Sequence, residues 1–144
     1  MKNYLLEVWV DSAESACIAA QNGADRLELC SNLVIGGTTP TLALFEEIRK
    51  NCDILINVLI RPRFGDFCYS EKEYEVIKGE IRQFVKAGAD GVVIGFLKED
   101  GSLDCERMKE CIALTEGKHV TLHRAFDVCR APYEALKQSV ELGV

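Results

Sequence analysis

Apolar, branched segments and amphipathic segments alternate without a break along this 144-residue chain, and no other property of the sequence limits its fold so tightly. Stretches rich in Val, Ile and Leu at residues 5–10, 27–30, 54–61, 91–97 and 120–125 read as strands. The segments between them open on helix-start signals. Asp11 with Glu14 and Ser70 with Glu73 have capping-box spacing, Pro40 follows Thr39 where a first helical residue belongs, and Asp104 and Pro132 open the last two helices. Two helix-to-strand junctions repeat, Gly23-Ala24-Asp25 and Gly88-Ala89-Asp90, and Gly143-Val144 begins a third. Five βα units in series imply a parallel sheet flanked by helices, either open and doubly wound or part of a (β/α)8 barrel.

The placement of polar residues within the strands separates the two. Successive strand residues face opposite sides of a sheet. In the first strand Glu7 and Trp9 share one face and Leu6, Val8 and Val10 the other; in the second, Glu28 and Cys30 oppose Leu27 and Leu29. In the third, Asn57, Leu59, Arg61 and Arg63 oppose Ile56, Val58 and Ile60, and in the fifth Thr121 and His123 oppose Val120 and Leu122. A doubly wound sheet buries both faces under helices and favours aliphatic residues on both. A barrel has a lumen whose mouth tolerates charge. No G-x-G-x-x-G follows the first strand, which also disfavours a dinucleotide-binding open sheet. A full barrel runs to about 250 residues, so residues 1–144 are expected to form one partial domain, the first five βα units of a TIM-like (β/α)8 barrel. The remaining strands are then expected from a longer chain or from another copy in a homo-oligomer.

Composition narrows the function. With 48% hydrophobic residues the chain has the content of a globular core, and its net charge of −6 leaves no basic surface for nucleic acid or anionic lipid. No apolar run approaches the ~18 residues of a membrane span, and Glu7 interrupts the apolar start where a signal peptide would be uncharged. Seven cysteines without a C-x-x-C pair disfavour a disulfide framework and a structural zinc site, and fit a reducing, cytoplasmic protein.

Candidate chemistry gathers at the C-terminal strand ends, where barrel active sites form. Glu28 and Cys30 end the second strand, Arg61, Arg63 and Asp66 follow the third, His123, Arg124 and Asp127 follow the fifth, and Glu7 lies on the first. Guanidinium forks suit carboxylate or phosphate, while an internal Glu28–Arg61 pair is an equally weighted alternative for Glu28. His123 reads equally as a hydrogen-bonded lumen residue or as a ligand or acid/base. Of the cysteines only Cys30 and Cys68 belong to rim segments; the others read as packing. Gly36-Gly37 before Thr38-Thr39-Pro40 fits loop and cap chemistry better than an anion site.

Several runs resemble the CutC copper homeostasis family: Gly23-Ala24-Asp25-Arg26-Leu27-Glu28-Leu29-Cys30, Gly36-Gly37-Thr38-Thr39-Pro40, Ile60-Arg61-Pro62-Arg63-Phe64-Gly65-Asp66-Phe67-Cys68-Tyr69-Ser70 and His123-Arg124-Ala125-Phe126-Asp127. The resemblance runs from Leu6 to the last residue. It implies a cytoplasmic TIM-like barrel with a copper-related role and Cu(I) held by cysteines near the rim. Cys30 matches one of those cysteines; where some members carry another, in a Glu-Val-Cys run, this chain has Glu7-Val8-Trp9. Two expectations follow. In the first, Cys30 with Cys68 or His123 holds Cu(I). In the second, a barrel enzyme binds a small anion through Arg61, Arg63, Asp66 and Arg124, with Glu28 or Glu7 as general base, His123 as acid and Asp127 beside it.

Overall fold

The computed structural model describes residues 3–144. Five strands, β1 (Glu7–Val10), β2 (Arg26–Leu29), β3 (Leu55–Leu59), β4 (Gly91–Ile94) and β5 (His119–Leu122), alternate with helices α1 (Ala13–Gln21), α2 (Leu42–Asn51), α3 (Glu71–Ala87), α4 (Cys105–Leu114) and α5 (Pro132–Leu142). All strand pairs are parallel and their spatial order is their chain order. A doubly wound sheet reverses direction at a switch point. This sheet winds one way, as a (β/α)8 barrel does.

Burial divides the two strand faces as the alternation requires. Leu27, Leu29, Ile56, Val58, Ile60, Val92 and Ile94 join Phe45, Ile48, Ile77, Ile81, Phe84, Met108 and Ala135 of the helices in one buried cluster. The opposite face holds a second, smaller cluster of Cys30, Leu59 and Val93. The first is the layer between sheet and helices, and the second lies on the lumen side.

Local signals explain most helix ends. Ser70 and Glu73 form the expected capping box of α3, whose Tyr74, Ile77, Ile81 and Phe84 recur at helical spacing on one buried stripe, and Asp104 caps α4. Two expected starts are displaced. The box of α1 is built by Ser12 and Ser15 instead of Asp11 and Glu14, because the Ser12 hydroxyl reaches the Ser15 amide at 3.1 Å and the Ser15 hydroxyl reaches back. Pro40 stops short of α2, which Thr41 caps through the Leu44 amide.

All strands but β2, which starts one residue early at Arg26, are shorter than their apolar runs, and side chains bind the amides at their ends. The Leu6 amide is taken by the Asp25 carboxylate at 2.7 Å, and the Asp90 carboxylate takes the Ile56 amide at 2.9 Å. The repeated Gly-Ala-Asp junction is therefore a structural device: its aspartate binds the N-terminal end of the preceding strand. At the other end the Arg61 amide leaves the ladder for the Thr39 hydroxyl, and the Leu97 amide bonds the Phe67 carbonyl. No helix among the described residues is long and apolar enough to cross a membrane.

Candidate functional site

Strand alternation points Trp9, Glu28, Leu59, Arg61 and His123 to the lumen side, and they meet around a cavity of about 210 Å³ whose wall also includes Phe67 and Arg124. Its polar groups come from different units. Glu28 is on β2, Arg61 lies just beyond β3 and His123 just beyond β5.

Arg61 is 8% exposed, and backbone oxygen surrounds it. One guanidinium nitrogen, Nη1, donates to the carbonyls of Gly36 (3.1 Å) and Gly37 (3.0 Å), and Nη2 donates to the carbonyl of Gly65 (2.8 Å). Gly36 and Gly37 have φ of +88° and +82°, a backbone that brings both carbonyls to one side and that residues with a Cβ rarely adopt. Their amides bond the carbonyls of Leu33 and Asn32, so this segment offers the guanidinium acceptors and offers no free amides to an anion. The Arg61 Nε–H is buried without a partner. No carboxylate among the described residues pairs with Arg61, so the alternative of a Glu28–Arg61 ion pair is not what the structure contains.

The Phe67 ring lies between Arg61 and His123, with the guanidinium carbon 4.9 Å and the imidazole centroid 4.7 Å from its centre. His123 Nδ1 accepts the Ala125 amide at 3.2 Å, which assigns the neutral tautomer with hydrogen on Nε2; that Nε2–H is buried and unpartnered. Burial, with the nearby Arg61 charge second, holds the imidazole down to about 3. Burial and the Arg61 charge thus favour the neutral form of His123, a hydrogen-bond donor through Nε2–H. A methyl group on Gly95 would lie 2.6 Å from the imidazole Cε1, so this glycine, just beyond β4, makes the space in which the ring sits.

Glu28 supplies the titrating group. Burial first, then repulsion from Glu7, pushes its carboxyl up to about 7, with Arg26 opposing. Near neutrality it is shared between acid and base forms. Asn57, paired in register with Glu28, has its amide oxygen and nitrogen both buried and unpartnered, in space left by Gly91.

Other candidates lie elsewhere. Glu7 is ion-paired to Arg26 at the N-terminal end of β1, away from the rim. Arg63 is committed to Glu73 (2.5 Å) and Asp66 (3.2 Å) and donates to the carbonyls of Phe64, Asp66 and Cys68; it locks its own loop to the start of α3. Asp66 accepts the Cys68 amide, and that bond, with Arg63, holds its carboxyl below the usual range. Arg124 and Asp127 pair with each other at 3.2 Å, both largely exposed, Arg124 on the cavity wall and Asp127 off it.

Neither Cys30 nor Cys68 lines the cavity. The Cys30 thiol donates to the Val10 carbonyl at 3.5 Å, and burial, with the Asp11 and Glu28 charges, pushes it up to about 12. No group of three or more His, Cys, Asp or Glu side chains among the described residues is placed to hold a metal ion. With neither thiol lining the cavity, the rim as arranged presents no sulfur ligand to Cu(I).

Trp9, Asn57, Gly91 and Gly95 complete the site without having been singled out as site residues, and Phe67 comes from the aromatic run 64–70 that follows the third strand. Gly91 was legible as a close-approach position, since glycine inside a strand marks crowding.

Comparison with known proteins agrees with the fold. A family model described as the CutC family matches residues 4–144. A human protein named copper homeostasis protein cutC homolog is 47% identical over 97% of this chain and 51% of its own length. A CutC family protein of Pectobacterium atrosepticum is 45% identical over 96% of this chain and 55% of its own. The chain thus spans about half the length of the curated relatives it matches. A crystal structure assigned to CutC from Streptococcus agalactiae superposes with a TM-score of 0.89 at 29% identity, covering 97% of this chain and 70% of that one. That agreement shows the TIM-barrel-like fold.

Proposed function

The chain belongs to the CutC family, and from that membership and the rim geometry we propose that its barrel mouth binds a small molecule bearing a carboxylate or phosphate and carries out acid–base chemistry on it. One observation carries this reading. A buried guanidinium has no carboxylate partner among the described residues, and Arg61 lines the same cavity as a neutral histidine, His123. Buried charge is normally paired, and an anionic ligand supplies the missing charge. Arg61 binds and orients the anion, His123 donates to an oxygen on which charge develops, and Glu28 moves a proton. Trp9, Leu59 and Phe67 exclude water from the apolar part. Arg124 closes the outer wall as a solvated cation, and Glu7 acts only by raising Glu28.

Relatives carry the name copper homeostasis protein, and the corresponding reading here is cytoplasmic Cu(I) handling by Cys30 and Cys68. Cys30, which bonds the Val10 carbonyl and does not line the cavity, gives that reading less support than the rim gives an anion. Net charge of −6 fits a small ligand better than nucleic acid.

Titration of the purified protein with inorganic phosphate and, separately, with Cu(I) buffered by a chelator distinguishes the two. Phosphate is expected to raise the melting temperature in proportion to occupancy, with Cys30→Ser leaving that shift unchanged. Absence of any phosphate effect, together with Cu(I) binding abolished by Cys30→Ser, would reject the anion reading.

A further inference from the structure

Two of the seven cysteines lie against each other on the helix side of the sheet, remote from the rim. Cys17, half-buried in the middle of α1, has its sulfur 3.2 Å from that of Cys52, which is 6% exposed and closes α2 as its C-cap residue. The other buried thiols have oxygen partners: Cys30 donates to the Val10 carbonyl and Cys111 to the Tyr74 hydroxyl. Cys17 and Cys52 have only each other's sulfur as a hydrogen-bond partner among the described residues.

We propose that Cys17 and Cys52 form a thiol–disulfide exchange site, which closes to an intramolecular disulfide on reaction with a low-molecular-weight disulfide such as oxidised glutathione. Sulfur atoms in contact need only side-chain rotation and about 1 Å of approach to reach the ~2.05 Å of a disulfide bond. No third His, Cys, Asp or Glu side chain among the described residues joins the pair to complete a metal site. Packing favours the bond over the ion.

The order of steps follows from exposure. Cys17 is the more accessible, while burial and the neighbouring thiol push Cys52 up to about 11. The Cys17 thiolate attacks one sulfur of the small disulfide and releases a first thiol, leaving Cys17 in a mixed disulfide. Cys52 then loses its proton and attacks the Cys17 sulfur, releasing the second thiol. One small disulfide is reduced to two thiols as the protein dithiol is oxidised, so electrons and protons balance. The product ties the first two βα units together across 35 positions of chain.

Incubating the folded protein with oxidised glutathione, then mapping peptides without reduction, tests this. The expected result is loss of two free thiols per chain, a 17–52 cross-linked peptide, and a melting temperature raised by roughly 5–10 °C that dithiothreitol returns to its starting value. Cys17→Ser, checked as folded by circular dichroism, is expected to lose the cross-link and the thermal shift and to leave Cys52 unmodified. Cys17 and Cys52 remaining free while other thiols react, or a stable glutathione adduct on Cys17 that Cys52 never resolves, would overturn the proposal.

Discussion

Arg61→Met is expected to abolish anion binding and to destabilise the fold by about 3–5 kcal/mol. Both effects come from one side chain. Its Nη groups are the donors for the carbonyls of Gly36, Gly37 and Gly65, and the side chain lines the cavity. Methionine fills a similar volume but donates nothing, so three carbonyls of two loops lose their charged partner and the cavity loses its cation. Arg61→Lys separates the two roles. A point charge keeps some attraction for phosphate, but without the planar fork it cannot serve three carbonyls on two sides. Lysine is therefore expected to recover part of the binding and little of the stability. Denaturant midpoints with and without phosphate check this; an Arg61→Met protein as stable as wild type would show that the loops do not depend on the guanidinium.

Glu28→Gln is expected to stabilise the protein above neutral pH and, on the proposed acid–base reading, to remove the group that moves the proton. The carboxyl sits at about 7 in the folded protein and near 4.5 when unfolded. Below pH 4.5 it is protonated in both states and costs nothing. As pH rises through 4.5 toward 7 the unfolded state releases its proton first, so stability falls, by about 3 kcal/mol once Glu28 is fully ionised. Glutamine removes that decline. His123 has the opposite dependence: its folded-state value of about 3 lies below its ordinary 6.5, so its contribution is intact above pH 6.5 and is lost as pH falls. From pH 4.5 to 6.5 the two slopes oppose each other, so the wild-type profile is expected to be nearly flat there, while the Glu28→Gln profile keeps rising up to about pH 6.5. A variant profile as flat as that of the wild type would assign the opposing slope to another group.

Much of this was legible in the residues. Strand alternation gave the lumen face, because a side chain's face depends only on its parity, and Glu28, Arg61 and His123 all fall on it. The fourth strand was silent, since Gly91, Val93 and Gly95 carry no charge; their contribution is the space occupied by Asn57 and His123. Partners were less legible than positions. Arg61 and Arg63 look equivalent across Pro62, yet Arg61 turns to glycine carbonyls and Arg63 to Glu73, itself half of a capping box. Backbone carbonyls aimed by left-handed glycines leave no trace in side-chain composition. The neutral state of His123 was equally hidden, because it follows from burial and the Arg61 charge, and its tautomer from one backbone amide two residues onward.

Imidazole nitrogen NMR of His123, recorded with and without phosphate, tests the central claim most directly. A neutral Nε2–H tautomer that stays untitrated from pH 8 to about pH 4.5, with its Nε2–H resonance shifting as phosphate binds and that shift absent in Arg61→Met, is the expected result. An imidazole that protonates near its ordinary value, or an Nε2–H that phosphate leaves unmoved, would contradict the oxyanion site.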